Sequence, residues 1–327
     1  MRKIFVFSII ALLIAQSFAS TGIAGETPTG ESCIWATFRG NNQRTGVAAD
    51  SCVVDSTDFK LKWSFRTIGG VESSPVYTNS RVYVGSYDGN MYCLDAENGE
   101  QVWSYKTGGG IKSSACVGGD KLFFGSFDSN LYCLSASNGT LLWQLETGDS
   151  IASSPIVQDG CVFFGSNDGY IYCIHTETGV EKWSYKTDEA VESSPAIFEK
   201  YLCVGSSDEQ LYCINVDSGE LIWSRRVYGQ IVSTPAIYQG YVYFGSTDNY
   251  VYCCNLEDGK LMWRHKTGDS ITSSPSITNG MVYIGSNDYY LYCLDTTSGK
   301  QQWKTPAKNE KIVSSPTCFG EKLLVGT

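Results

Sequence analysis

Cysteine is abundant in this sequence, with 13 copies, whereas histidine occurs only twice. Six cysteines recur at intervals of 40 residues, namely Cys93, Cys133, Cys173, Cys213, Cys253 and Cys293. Equivalent positions in successive units should lie beyond the roughly 7 Å Cα separation that a disulfide tolerates. Each follows a tyrosine within an apolar run, so we predict buried thiols that pack a core rather than disulfides or metal ligands.

The remaining cysteines leave more than one interpretation open. Cys33 and Cys52 lie before the repeats, and a disulfide between them would staple the N-terminal segment. Cys203 and Cys213 flank a predicted hairpin, so a bond across it is an alternative to two free thiols.

The other polar residues do not indicate a catalytic constellation. His175 and His265 fall in different units and different predicted strands, so their spacing supports no Ser-His-Asp arrangement. An aspartate also recurs once in each complete unit: Asp88, Asp128, Asp168, Asp208, Asp248 and Asp288. Each lies in a tight turn, where a carboxylate accepts hydrogen bonds from nearby backbone, so we predict a structural role for the series.

A 40-residue repeat positions all of these side chains. Its most regular markers are the tryptophans Trp63, Trp103, Trp143, Trp183, Trp223, Trp263 and Trp303. Each unit contains short β-branched and aromatic runs separated by turn pairs such as Asp88-Gly89 and Asn98-Gly99. Helical periodicity is absent, so each unit predicts four antiparallel strands, A to D, which is the blade of an all-β propeller.

Six units are complete, and a seventh consists of strands A and B only. Residues 61–67 have a strand D sequence with no strand A, B or C before them. We therefore predict a seven-bladed β-propeller whose last blade is split between the two termini and is incomplete. Residues 31–37 are a candidate for its missing strand C, and a chain cut inside a repeat is the alternative explanation.

The consensus S-S-P-x-V…V-Y-x-G-S-x-D-G-x-L-Y-C-L-D…G-x-x-x-W resembles the quinoprotein-type, or PQQ-like, propeller repeat with its tryptophan-docking pattern. The segment from Trp35 to Gly46 is similar to the lead-in of such propellers. The resemblance implies that each repeat tryptophan packs on the neighbouring blade. It also implies that a quinone-binding member would carry Ca²⁺ ligands and an Asp base on inserted loops, and a disulfide between adjacent cysteines.

The identical tryptophan intervals leave no room for such insertions. Cys253 and Cys254 are adjacent, but Cys253 is simply the repeat cysteine of its unit. We therefore expect no PQQ, no metal and no catalytic residue, with a PQQ-dependent dehydrogenase as the alternative.

Residues that vary between units indicate where a partner would bind. The turns between strands B and C, together with the links from strand D to the next strand A, should form one edge of the disc, called here the upper rim. Aromatic residues vary there, and they form the candidate binding rim: Tyr87, Phe127, Tyr170, Tyr250, Tyr289 and Tyr290. Exposed aromatic residues are typical of protein interfaces, whereas packing between blades is the alternative. Glu72, Lys112, Glu192 and Gln230 vary nearby.

The N-terminus and the overall charge limit where the protein can be located and what it can bind. Residues 1–24 have the basic, apolar and small-residue regions of a signal peptide, so residues 25–60 would be a lead-in and 61–327 the propeller. A net charge of −10 argues against nucleic acid, and no segment is long enough to span a membrane. The sequence thus predicts a secreted or cell-surface, non-enzymatic scaffold that binds a protein or surface ligand. An envelope assembly factor, similar to the propeller subunit of the outer-membrane barrel-assembly machine, is a further alternative.

Overall fold

A computed structural model describes residues 35–47, 61–307, 310–319 and 322–326. The predicted signal peptide and the predicted Cys33–Cys52 disulfide lie outside these residues. Every secondary-structure element of the described residues is a β-strand, and there are 26 of them. They form six four-stranded antiparallel sheets and one two-stranded sheet, which confirms the predicted all-β propeller fold.

Each sheet is one blade, and its strands follow one another along the chain. Blade 1 contains β1 (Val76–Thr78), β2 (Arg81–Gly85), β3 (Asn90–Asp95) and β4 (Gln101–Lys106), and blade 2 contains β5 (Cys116–Gly118), β6 (Lys121–Gly125), β7 (Asn130–Ser135) and β8 (Leu141–Glu146). Blade 3 contains β9 (Ile156–Gln158), β10 (Cys161–Gly165), β11 (Tyr170–His175) and β12 (Glu181–Lys186), and blade 4 contains β13 (Ala196–Phe198), β14 (Tyr201–Gly205), β15 (Gln210–Asn215) and β16 (Leu221–Arg226). Blade 5 contains β17 (Ala236–Tyr238), β18 (Tyr241–Gly245), β19 (Tyr250–Asn255) and β20 (Leu261–Lys266), and blade 6 contains β21 (Ser276–Thr278), β22 (Met281–Gly285), β23 (Tyr290–Asp295) and β24 (Gln301–Pro306). Blade 7 contains β25 (Thr317–Phe319) and β26 (Lys322–Leu324).

Turn chemistry fixes the ends of the strands. Gly89 and Gly99 close the two turn pairs of blade 1 with φ angles of 81° and 75°, a region that glycine adopts without a steric penalty. The Ser-Ser-Pro segment before strand A bonds to strand B of its own blade, through the Ser73 hydroxyl and the backbone of Gly85, and also to the next blade. The backbone N–H of Ser74 donates to Oγ of Ser114, and the same link recurs between later blades.

The hydrophobic core lies between adjacent blades. Met91 and Cys93 of blade 1, for example, share one buried cluster with Leu122 and Phe124 of blade 2. Trp103 closes the outer side of that cluster, packs over Gly139 and donates from Nε1 to the carbonyl of Ala136, 3.1 Å away. The tryptophan therefore docks on the next blade, as the repeat resemblance implies.

Blade 7 differs from the other six in its outer half. Trp63 docks on blade 1 in the usual way, with Nε1 3.0 Å from the carbonyl of Ala96. The prediction of a strand D at residues 61–67 is nevertheless wrong, because this segment pairs with no strand of the described chain. A strand D needs a strand C beside it, and blade 7 has none among the described residues.

The lead-in segment lies in the central channel rather than in blade 7. Trp35 pairs with Tyr77 of β1, which borders the channel, and Val47 pairs with Cys318 of β25. The suggestion that residues 31–37 supply strand C of blade 7 is therefore wrong for the described residues 35–37. No helix of the described chain is long and apolar enough to cross a membrane.

Candidate binding rim

The repeat aspartates hold the upper rim together. In each complete blade the carboxylate accepts hydrogen bonds from the preceding D–A link, from its own turn and from a tyrosine hydroxyl of strand C. Asp248, for example, accepts from the N–H groups of Tyr228 and Tyr250 and from the hydroxyl of Tyr252, at 3.1, 3.0 and 2.6 Å. The equivalent aspartate–tyrosine distances are 3.0 Å for Asp88–Tyr92, 2.8 Å for Asp128–Tyr132, 2.8 Å for Asp168–Tyr172, 2.7 Å for Asp208–Tyr212 and 2.5 Å for Asp288–Tyr292.

In blades 1 and 2 these contacts lower the pKa of the aspartate, and in all six complete blades burial and the bond to aspartate raise the pKa of the tyrosine. Burial alone would raise the pKa of Asp88, but hydrogen bonds from Asn90, Tyr92 and Gly69 outweigh it and lower the pKa to about 2. Burial, followed by the bond to Asp88, raises the pKa of Tyr92. A carboxylate held in this way is a poor proton donor or acceptor near neutral pH, so the geometry favours a structural role for the series.

The six residues of the candidate binding rim divide into two groups. Tyr87, Phe127 and Tyr289 are exposed at 37%, 37% and 44% of their surface. Tyr87 and Phe127 come from neighbouring blades and meet edge to face, with ring centroids 5.7 Å apart. These three side chains form the part of the predicted rim that a partner can reach.

Tyr170, Tyr250 and Tyr290 are only half-buried, because each packs against the strand C tyrosine two residues further on. A cation also covers each ring, namely Lys186, Arg264 and Lys304, the last lying 4.2 Å from the Tyr290 centroid. Packing within the blade therefore describes these three rings better than free exposure, and it differs from the packing between blades that was the alternative considered from the sequence.

Two exposed residues of the upper rim were not predicted. Ile68 and Tyr228 lie in D–A links and are 97% and 83% exposed. Glycine or aspartate stands at the same repeat position in the links before blades 2, 3, 4 and 6. A comparison of the links, rather than of the B–C turns alone, would have revealed both residues.

Charged residues surround the channel mouth on this rim. Lys112 of blade 2 and Glu192 of blade 4 form an ion pair of 3.1 Å across the mouth. Glu72 accepts a hydrogen bond of 2.9 Å from the Tyr87 hydroxyl, which ties the mouth to the exposed aromatic residues. Gln230 instead helps to line a polar groove of about 490 Å³ with Asp188, Glu189, Asp208, Glu209 and Arg226.

The cysteines are not placed for quinone chemistry. Cys253 and Cys254 are successive residues of β19 and belong to different buried clusters, one on each side of the sheet. Burial raises the pKa of Cys253 to about 12 and that of Cys254 to about 11. These residues do not fit a site that holds a cofactor against a disulfide of adjacent cysteines.

The other candidate reactive groups are also separate. Cys203 and Cys213 are opposite one another on β14 and β15, but both are free thiols. His175 of blade 3 and His265 of blade 5 do not meet. Within the described part of the chain, no group of three or more His, Cys, Asp or Glu side chains could hold a metal ion.

Six four-stranded blades with docked tryptophans and serine links define a β-propeller of the PQQ-like type. A family model described as "Beta-alanine-activating enzyme, beta-propeller" matches residues 47–240, which is more than half of the chain. The chain therefore belongs to this β-propeller family. A second model, described as "Outer membrane protein assembly factor BamB", matches residues 228–327 and supports the predicted PQQ-like repeat.

A solved structure gives the same fold. The crystal structure of BamB from Moraxella catarrhalis is similar with a TM-score of 0.73 and 18% identity, over 82% of this chain and 85% of that chain. At this identity the likeness shows the propeller architecture alone. A comparison with curated proteins finds no match.

Proposed function

We propose that this protein is a non-enzymatic propeller scaffold that binds a protein partner through its upper rim. One observation supports this most strongly. Of the five exposed aromatic side chains of the described residues, four lie on the upper rim, namely Tyr87, Phe127, Tyr228 and Tyr289, and Trp303 lies elsewhere. Exposed aromatic residues dominate the binding energy of protein interfaces, because they bury a large area at a small cost in entropy.

Tyr289 supports the same proposal from its backbone. It occupies the turn position that is glycine in blades 1 and 3, and its φ angle is 73°. A bulky residue is uncommon in this region, and the strain costs on the order of 1 kcal/mol or more. The turn has a φ of 70°, 71° and 73° at Ser129, Glu209 and Asn249 as well, and among these equivalent positions it is Tyr289 that presents an aromatic ring to solvent, which favours a binding role for that ring.

Affinity capture with matched variants tests the proposal. The rim variant carries Tyr87→Ala, Phe127→Ala and Tyr228→Ala, and the control carries Leu141→Ala, Leu142→Ala and Val180→Ala, which change exposed residues of the outer surface. We expect wild type and control to recover the same partner from extracts of the native host, and the rim variant to lose it. Equal recovery by all three proteins would refute the proposal.

An envelope assembly factor is a second candidate, and the family match over residues 228–327 favours it. A photo-crosslinking residue at position 228 distinguishes this role from a general scaffold. Cross-links to outer-membrane proteins or to their assembly machinery would support the second candidate. Cross-links only to other surface proteins would argue against it.

We further propose that the protein is exported and uses no quinone. Fractionation of the native host, followed by N-terminal sequencing, should find a mature chain that begins after Ala19 or Ala24. A dye-linked alcohol oxidation assay with added PQQ and Ca²⁺ should show no turnover above the protein-free control. Turnover that depends on the protein would favour the dehydrogenase instead.

A further inference from the structure

The lead-in segment, residues 35–47, contacts all seven blades from inside the channel. Backbone N–H groups of six inner strands donate to its carbonyls: Tyr77 to Trp35, Val117 to Ala36, Ile197 to Asn42, Ile237 to Gln43, Ile277 to Thr45 and Cys318 to Gly46, at 2.7–2.9 Å. The segment contacts blade 3 through a side chain instead, since the amide group of Asn42 donates to the carbonyl of Val157. A single segment of 13 residues therefore follows the whole ring.

The bonded amides occupy the same place in every blade. Tyr77, for example, is the middle residue of β1, whose outer side pairs with β2. Its N–H points away from β2 and into the channel, where a strand edge offers unpaired backbone groups. The segment thus satisfies the free inner edge of each blade, by the strand-edge hydrogen bonding through which sheets capture extended peptides.

Two buried arginines each join a pair of adjacent blades. Arg39 donates to the carbonyl of Pro275 in blade 6 and, at 2.6 Å, to that of Pro316 in blade 7. Arg44 donates to the carbonyls of Ser154 and Pro155 in blade 3, at 3.2 and 3.0 Å, and to that of Pro195 in blade 4, at 3.0 Å. Both guanidinium groups are buried, at 3% and 0% exposure, and no carboxylate of the described residues pairs with either.

The conformation of the segment is built around these arginines. Arg39 and Arg44 have φ angles of 62° and 58°, and Gly46 has 68°. A Cβ at Gly46 would collide with the Arg39 guanidinium, so this position requires glycine for space as well as for φ. The Asn41 side chain bonds both the N–H and the hydroxyl of Thr45, which closes the turn between the two arginines.

Blade 7 is where such an inner contact matters most. Blades 1 to 6 each have four paired strands, whereas the described part of blade 7 has two. The serine links of the inner strands are present from Ser74 to Ser315, but no such link joins Ser315 back to Ser74 within the described chain. The two ends of the lead-in, Trp35 on blade 1 and Val47 on blade 7, meet the blades on either side of this weak junction.

We propose that the channel binds this chain's own residues 35–47, and that this bound segment holds the ring closed at blade 7. The Arg39 contacts hold blade 7 to blade 6, and the carbonyls from Trp35 to Gly46 connect blade 7 with blade 1. The inner strands thereby supply the closure that complete outer strands would otherwise give.

Residue-resolved hydrogen exchange on the full chain tests this, with Arg39→Met as the variant and Arg44→Met as the matched control. Hydrogen bonds to a charged donor are stronger than those between neutral groups, and a tenfold change in an opening equilibrium corresponds to about 1.4 kcal/mol. We expect Arg39→Met to raise the exchange rate of the Cys318 amide about tenfold or more, relative to that of Ile197. Arg44→Met should raise Ile197 more than Cys318. Unchanged Cys318 exchange in Arg39→Met, or the same profile in both variants, would overturn the proposal.

A second measurement needs no variant and applies even where the substitutions prevent folding. In the wild-type chain at low urea, the amides of Tyr77 and Cys318, which bond the two ends of the segment beside the blade 7 junction, should exchange through one common opening with one shared dependence on urea. Mid-sheet amides such as those of Cys93 and Cys253 should follow a different, larger dependence. Independent exchange of the Tyr77 and Cys318 amides would show that the segment does not connect blade 7 with blade 1.

Discussion

At the scale of single residues, the aspartates of the B–C turns each join three parts of a blade junction. Asp248 binds the D–A link before its blade through the N–H of Tyr228, its own turn through Tyr250, and strand C through Tyr252. The carboxylate therefore fixes the backbone that presents the exposed ring of Tyr228. Asp248 therefore both stabilises the blade junction and holds Tyr228 in its exposed position.

Asp248→Ala should lower the free energy of unfolding by about 2 kcal/mol, because it removes these three hydrogen bonds and leaves the Tyr252 hydroxyl without its partner. The urea midpoint measures this change. Asp217→Ala is the control, since Asp217 is exposed and its ion pair with Lys182 spans 4.0 Å. A surface pair of this kind contributes about 0.5 kcal/mol or less. Equal losses in the two variants would contradict the role assigned to Asp248.

The tyrosines that donate to the repeat aspartates predict how the stability of the protein changes at alkaline pH. Burial and the bond to aspartate raise the pKa values of Tyr92, Tyr132, Tyr172, Tyr212, Tyr252 and Tyr292. A tyrosine whose folded pKa lies above its unfolded value of ~10 stabilises the fold fully below pH ~10, and this contribution is lost as pH rises through the folded pKa.

We therefore expect stability to fall above pH ~10 rather than near neutrality. Ultraviolet titration of phenolate should show a group of tyrosines that ionise only together with unfolding. The same protein in concentrated urea should ionise all its tyrosines near pH ~10. A native titration that matches the unfolded one would contradict the observed pairs.

At the scale of elements, the docked tryptophan joins each blade to the next, and its contribution to stability depends on whether the next blade has a turn on which it can pack. Trp263 lies over Gly299, and its Nε1 is 2.8 Å from the carbonyl of Thr296. Trp303 has no equivalent turn to dock on among the described residues of blade 7 and is 41% exposed. The same residue at the same repeat position therefore has two different environments.

Trp263→Ala should cost about 3–5 kcal/mol, as the loss of a buried aromatic side chain does. Trp303→Ala should cost about 1 kcal/mol, because Trp303 is 41% exposed, without the docking contact of Trp263, and packs on the Tyr283 ring at 5.9 Å between centroids. Chemical denaturation of both variants measures the difference. Similar losses would mean that Trp303 docks on a part of the chain outside the described residues.

Repetition explains which elements the sequence could predict. Strand C of blade 1, Asn90–Asp95, lies between the two turn pairs Asp88-Gly89 and Asn98-Gly99 that the sequence identifies, because these pairs and the apolar residues between them specify both of its ends. The location of residues 35–47 was not predicted, because this segment has no repeat and its contacts lie up to 277 residues away. The available signal was two arginines that each lie within two residues of a following glycine, Arg39 before Gly40 and Arg44 before Gly46, in a segment without acidic residues.

The binding rim shows a similar limit. Variation among the B–C turns identified Tyr87 and Phe127, but it also selected Tyr170, whose ring packs on Tyr172. Sequence variation shows that the repeat does not require a particular residue at a position. The exposure of a side chain depends instead on its direction and on its neighbours.

At the scale of the whole molecule, the ring is a series of similar units that each contact mainly their neighbours. In such an array, stability is close to a sum of unit and interface terms, so the unit with the fewest interfaces opens first. The described part of blade 7 has two strands with one paired edge between them, and blade 7 should therefore open more readily than blades 1 to 6.

Limited trypsin digestion of the native protein should therefore cut first in blade 7, after Lys311 or Lys322. Lys121 begins the equivalent strand of blade 2 and is the internal comparison, because its strand pairs on both sides and its ammonium group contacts Glu177. Cleavage that depends on local opening follows the population of the open form, so early cuts after Lys322 and late cuts after Lys121 are expected. Mass spectrometry of the first fragments identifies the sites. First cuts inside blades 2 to 5 would show that the ring does not open at blade 7, and that the weak point of the propeller lies elsewhere.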